Sequence, residues 1–143
     1  MPQLPCMCAG FRRASRALTQ LYDRALRPTG LRATQFTVLQ ALSLAGEVSQ
    51  GELGEILAMD STTLTRTLAI MARRGWVARS PGKDRRERRL RLAAAGEQQL
   101  KRGLEQWETV QRGLRTRLGE ARWHSLFNLT RQVAALAAAP SET

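Results

Sequence analysis

The sequence predicts a mainly α-helical protein carrying one small β-hairpin, and three observations support that prediction. Apolar residues recur at steps of three and four along most of the chain, the period of helices buried on one side. Between Trp76 and Leu92 the period shortens to two, over two runs separated by Ser80-Pro81-Gly82-Lys83-Asp84. Charge gathers on that same stretch. Nine Lys or Arg and two acidic residues lie between Arg73 and Arg91, a net +7 of the +11 carried by all 143 residues.

The elements follow in order. Phe11, Ala14, Leu18, Leu21, Tyr22 and Ala25 form a helical stripe with Arg12, Arg13, Arg16 and Arg24 between them, and Pro28-Thr29-Gly30 ends it. A second helix is expected over 34–45, burying Phe36, Leu39 and Leu42, with Gly46 as its stop. Ser49 and Glu52 have capping-box spacing, each side chain able to satisfy the other residue's backbone N–H. The helix they open is expected to carry Leu53, Ile56 and Leu57 inward and to end near Met59. Asp60 caps the next, over 61–74, with Leu64, Leu68 and Met71 on one face and Ser61, Thr62, Thr65 and Arg66 on another. Two such helices joined by a short turn form a helix-turn-helix. Short hydroxyls and one Arg at the start of its second helix can approach base edges and phosphates without obstruction.

In the hairpin that follows, Leu90 and Leu92 point one way and Arg89 and Arg91 the other, with a basic tip: a wing beside the helix-turn-helix. Leu100, Leu104, Trp107, Val110, Leu114 and Leu118 mark a helix roughly 37 Å long. Gly119 breaks it. A last helix holds Trp123, Leu126, Phe127, Leu129, Val133 and Leu136, stopping at Pro140. The expectation is a single domain over 1–143: a winged helix-turn-helix (33–93) with a helical dimerisation region drawn from both ends (5–30 and 94–139).

Composition narrows the function. With 43% hydrophobic residues, disorder does not explain the charge, and no apolar run is long enough to span a bilayer. Two cysteines and a start without a charged region and apolar block suggest a reducing cytoplasm and no membrane. A sequence pI near 11.5 calls for a polyanion, with nucleic acid first. There is no phosphate-cradling Gly loop and no zinc pair of histidines, and His124 stands alone. No catalytic residue, metal or cofactor is therefore expected. A general nucleoid or RNA-binding protein is the rival class, but it needs no directional reading head. RNA binders also stack bases on aromatics, whereas none of the seven aromatics here interrupts the basic wing.

Two motifs carry a family resemblance. Asp60-Ser61-Thr62-Thr63-Leu64-Thr65-Arg66 resembles the recognition-helix start of the multiple antibiotic resistance regulator (MarR) family. Asp84-Arg85-Arg86-Glu87-Arg88-Arg89-Leu90-Arg91-Leu92 is similar to its wing pattern of Asp-x-Arg-x-Arg followed by alternating apolar residues. The resemblance runs from about residue 14 to 118; Ala93 departs from it, standing where the family usually has Thr. It implies a homodimeric, sequence-specific regulator, most often a repressor, that binds a pseudo-palindromic double-stranded DNA operator and answers a small-molecule or oxidant effector. Arg86 would enter the minor groove, braced by Asp84 and flanked by Arg88, while Ser61, Thr62, Thr65 and Arg66 face the major groove. The bland reading of Asp84 and Arg86 is an ordinary exposed pair worth ~0–1 kcal/mol. The family's effector crevice points to Phe11, Tyr22, Phe36 and Trp107, although the Trp residues also read as core.

One branch of the family, the organic hydroperoxide resistance regulators, has a reactive Cys seven residues before a Ser-Arg pair. Cys8 stands seven before Ser15-Arg16, Tyr22 falls where that branch has a tyrosine, and Arg12 lies nearby. Its other tyrosines correspond to Arg12 and Ala33, and no C-terminal resolving Cys is present. Cys6 is the remaining partner, but Cys-x-Cys on a helix sets the thiols about 200° apart, against a simple intrachain bond. Redox sensing through Cys8 and inert small side chains both remain open here.

Overall fold

The computed structural model describes residues 2–84 and 86–140; Arg85, part of the basic tip, lies outside the described residues. The order is α1 (Met7–Leu26), a 3-10 turn (Arg27–Thr29), α2 (Ala33–Ala45), β1 (Val48–Ser49), α3 (Gln50–Leu57), α4 (Ser61–Arg73), β2 (Val77–Pro81), β3 (Arg88–Leu92), α5 (Ala94–Leu118) and α6 (Glu120–Ala138). The chain divides into two compact units between Trp107 and Glu108, inside α5.

In the first unit the three strands form an antiparallel sheet in the order β1-β3-β2. The hairpin pairs Val77 with Leu92 through to Pro81 with Arg88, two residues further into the turn than the alternation suggested. The β1 strand was not expected. It pairs Val48 with Leu90 and Ser49 with Arg89, tying the start of the helix-turn-helix to the wing. Leu26, Phe36, Leu39, Leu42, Leu53, Leu64, Leu68, Met71 and Leu90 make one buried core beneath these elements.

One inward assignment is corrected: Ile56 is 54% exposed. Along a helix Ile56 lies about 60° to one side of Leu53 and Leu57 about 40° to the other. The core sits on the Leu57 side, so a two-turn helix has no second surface to cover Ile56.

The N-terminal half of α5 fits this unit through three residues. A Cβ on Gly96 would overlap the Trp76 carbonyl oxygen, which accepts the Ala93 N–H at 3.0 Å. Gln99 is buried and donates from Nε2 to the Thr29 carbonyl. At Gly103 a Cβ would stand 2.8 Å from the Phe36 ring. Phe36 in turn packs on Trp107, ring centroids 5.9 Å apart.

In the second unit Gly119 takes a positive φ of 84° between the helices. Arg115 grips Glu120 across that break, Nε to Oε1 at 2.6 Å and Nη2 to Oε2 at 2.8 Å. Those bonds hold the Glu120 carboxyl below the usual carboxylate range. Trp123 and Phe127 meet edge to face. Leu126, Phe127, Leu129 and Leu136 remain exposed on α6.

Candidate nucleic-acid interface

Local chemistry sets both helices of the reading head. The Ser49 hydroxyl accepts the Glu52 N–H at 3.1 Å, and the Glu52 carboxylate accepts the Ser49 N–H at 2.7 Å, the capping box expected from the spacing. The Ser49 backbone bond, then its hydroxyl, holds the Glu52 carboxyl below its usual range. At α4 the Asp60 carboxylate takes the Thr63 N–H at 2.8 Å and the Thr63 hydroxyl at 2.7 Å. It too lies below its usual range, with the Thr63 backbone bond the largest cause. Both caps act as charged acceptors on donors that a helix start leaves unpaired.

Helix α4 buries Leu64, Leu68 and Met71 and leaves Ser61, Thr62, Thr65 and Arg66 exposed, the division its apolar period predicts. Gln50, the first residue of α3, was not singled out by sequence; its Nε2 donates to the Thr65 hydroxyl at 2.8 Å. A partner fifteen residues away leaves no local pattern.

The wing tip closes on itself. Gly82 N–H donates to the Glu87 carbonyl at 2.7 Å, and Glu87 N–H to the Asp84 carbonyl at 3.0 Å. Asp84, Arg86 and Arg88 are all exposed. In the wing, no ion pair among the described residues joins Asp84 to Arg86, and those present fall on Arg89. Its guanidinium donates to the Glu47 carbonyl at 2.8 Å and stands 3.2 Å from Glu87, 3.6 Å from Glu47 and 3.8 Å from Glu52. The cause is register: Arg89 is the β3 partner of Ser49, beside the segment that holds Glu47 and Glu52. Arg86 and Arg88 meet Ser61, Gln50 and Glu55 around an open concavity of about 530 Å³ between wing and helices. The recognition helix and the wing thus share one face.

The remaining candidates lie apart from it. Cys6 and Cys8 are exposed free thiols. Cys6 is the N-cap of α1, with extended backbone at φ −126° and ψ 117°, so the helical angle that separated the two thiols does not apply. Arg12 Nη2 stands 3.8 Å from Cys8 Sγ. Tyr22 is fourteen residues further along α1, about 21 Å of helix axis, so one chain does not bring it to Cys8. Burial raises the Tyr22 phenol above its ordinary value. Phe11 is 39% exposed on α1, whereas Phe36 is a core residue packed on Trp107. A cavity of about 270 Å³ is lined instead by Asp23, Arg27, Gly30, Leu31 and Arg32. Among the described residues no His, Cys, Asp or Glu group could hold a metal ion, and no helix is long and apolar enough to cross a membrane.

Comparison with known proteins agrees with this geometry. The model of the MarR family matches residues 29–87, from the turn after α1 to the wing tip. YwoH of Bacillus subtilis, an HTH-type transcriptional regulator, is 32% identical over 84 residues; the match covers 59% of this chain, and the chain spans about three-fifths of that relative, 61%. The transcriptional regulator MosR of M. tuberculosis, crystallised with DNA, is 38% identical with a TM-score of 0.79, covering 92% of this chain and 98% of that one. A C80S mutant of E. coli MarR in complex with operator DNA has the same fold, with 24% identity and a TM-score of 0.80 over 89% of this chain and 92% of its own. The assignment is to regulators rather than enzymes. With the reading head, the wing and these relatives in agreement, the chain belongs to the MarR family of winged helix-turn-helix transcriptional regulators.

Proposed function

We propose that the chain is a sequence-specific DNA-binding repressor, acting as a homodimer on a pseudo-palindromic operator and released by a small-molecule or oxidant signal. The observation that carries this reading is the common face of α4 and the wing. Ser61, Thr62, Thr65 and Arg66 are exposed on a firmly capped helix, and Arg86 and Arg88 are exposed at a closed hairpin tip that shares a concavity with Ser61. A capped helix without long side chains at its start can enter a major groove, while an Arg at a hairpin tip suits the narrow, electronegative minor groove. Exposed Phe11 and Leu18 on α1, with Leu126, Phe127, Leu129 and Leu136 on α6, favour a second copy as their cover. Two heads related by a two-fold axis require half-sites about 10 bp apart.

The test is affinity for the chain's own promoter DNA at fixed salt. Arg86→Ala weakens binding more than about tenfold if Arg86 makes the wing contact; unchanged affinity removes that role. Equal binding to random duplex and promoter favours a nucleoid-type protein instead. For a small effector, Phe11 and Tyr22 are the accessible members of the aromatic set, Phe36 and Trp107 being occupied with each other.

A second reading concerns the signal and rests on the Arg12–Cys8 approach. The thiolate is the form of an exposed cysteine that peroxides oxidise. The Cys8 thiolate attacks the O–O bond of an organic hydroperoxide, keeps one oxygen as a sulfenic acid and releases the alcohol. A second thiol, Cys6 or one from the other subunit, then displaces water to give a disulfide. Hydroperoxide releases DNA from the wild type but not from Cys8→Ser; equal release from both refutes it.

A further inference from the structure

We propose that Gln50 is a specificity-determining residue of the DNA interface, because its contact with Thr65 sets the hydrogen-bonding polarity of a hydroxyl on the recognition helix. This inference rests on the DNA-binding reading above. Thr19, Thr37 and Thr67 return their hydroxyl protons to the carbonyl four residues earlier, at 2.8, 2.9 and 2.9 Å. Their polarity is used up within their own helices. Thr65 differs: among the hydrogen bonds of the described residues its Oγ1 is the acceptor, from Gln50 Nε2 at 2.8 Å. A hydroxyl has one proton to donate. With a lone pair occupied by Gln50, the exposed Thr65 turns that proton outward.

The scaffold keeps this arrangement in place. Gln50 opens α3 immediately after Ser49, whose capping box with Glu52 fixes the first turn. Across from it, α4 is held by the Asp60 cap and by the burial of Leu64 in the core. Gln50 also lines the concavity shared by Ser61, Arg86 and Arg88, and it reaches the exposed Thr65 on α4 from there.

A fixed donor selects its base. In the major groove guanine offers N7 and O6, adenine N7 and thymine O4 as acceptors, whereas cytosine presents only its N4 donor. Thr65 therefore disfavours cytosine at one position of each half-site. Replacing the amide by a carboxylate reverses the polarity, since an ionised Glu only accepts. The Thr65 proton then turns to position 50, and the hydroxyl presents lone pairs that fit cytosine N4.

The experiment is selection from a duplex library with a randomised core, using full-length wild type, Q50A, Q50E, T65V, T65S and the Q50A/T65V double variant, followed by anisotropy titration of the enriched sites at fixed salt. The wild type is expected to disfavour cytosine about tenfold at one position per half-site. Q50A and T65V bring that preference within about twofold at the same position, with no further loss in the double variant. T65S keeps the preference and Q50E inverts it towards cytosine. Enrichment by the wild type with Q50A and Q50E preferences unchanged overturns the role of Gln50 alone. So do losses that map to different positions for the two residues. If the wild type enriches no sequence, the DNA reading fails and takes this inference with it.

Discussion

Substituting Gly96 by alanine tests how α5 is seated on the winged head. The added Cβ would overlap the Trp76 carbonyl oxygen and stand 3.0 Å from both the Trp76 carbonyl carbon and Leu92 Cδ2. Real Cβ atoms essentially never approach other heavy atoms within 3.0 Å, and here the obstacle is backbone, which cannot rotate away. The helix must retreat by about 1 Å, which strains or breaks the Ala93 N–H bond to that same oxygen. Overpacking costs about 1–3 kcal/mol, the weakened hydrogen bond about 1 more, and alanine's helix propensity returns up to about 1. The net loss is about 1–4 kcal/mol, which for a chain of this length lowers Tm by roughly 3–13 °C. Thermal unfolding followed by circular dichroism measures it, with two internal comparisons. At Gly103 the obstacles are the Phe36 ring and a Leu31 methyl at 2.8 and 2.9 Å, which can give way, so Gly103→Ala loses about 1 kcal/mol. At Gly51 a Cβ meets only Ser49 Oγ at 3.9 Å, so Gly51→Ala is neutral or stabilises by up to about 1 kcal/mol. A Gly96→Ala protein melting within about 2 °C of wild type refutes the close approach.

Leu68 is fully buried between α4 and the core, and Leu68→Ala loses about 2–5 kcal/mol in urea unfolding. Because Asp60 and Glu52 are held below their ordinary values, their caps are present above the unfolded carboxylate range and are lost as pH falls through the folded values. Protection of the Thr63 and Ser49 amides against exchange therefore falls as pH drops below the ordinary carboxylate range, about pH 4, and Asp60→Ala removes that pH dependence at Thr63 alone. Operator binding weakens with salt at a log–log slope of roughly −0.9 per phosphate neutralised, and Arg86→Ala reduces the slope by about one per subunit. Arg89→Ala leaves the slope unchanged in the same titration, because its charge is already committed to carboxylates.

What the sequence made legible is what short-range physics decides. The capping box at Ser49 and Glu52, the Asp60 cap, the stops at Gly46 and Gly119 and the buried stripe of α4 each depend on neighbours within a turn or two. The structure carries all of them. Features set by distant partners were not legible. β1 is two residues long and exists because β3 passes beside it, so no alternation announces it. Ile56 obeys the helical period but faces away from the core, which periodicity alone cannot distinguish. Arg89 and Arg86 are equivalent in a charge count, and only the register of β3 against Ser49 separates a structural guanidinium from an exposed one. The pairing of Phe36 with Trp107 across 71 residues is likewise set by distant partners, whereas Phe11 remains partly exposed on α1.

The concentration of charge on the wing therefore divides into two jobs. Arg89 joins the wing to Glu47 and Glu52 at the start of the helix-turn-helix, and Arg74 lies over the Trp76 ring while donating to the Gly30 carbonyl. These two set the angle between hairpin, recognition helix and the turn after α1. Lys83, Arg86, Arg88 and Arg91 are exposed, and counterion release can come from them. A rigid wing matters because an Arg in a minor groove reads shape only if its distance from the major-groove helix is fixed. On the function proposed above, Arg89, neutralised by carboxylates, and Arg74, held by the Trp76 ring and the Gly30 carbonyl, serve discrimination by holding that distance. In that proposal the exposed ones supply affinity that any duplex can claim, and the weakly charged face of α4, with the hydroxyl polarity we infer to be set from α3, is left to distinguish one sequence from another.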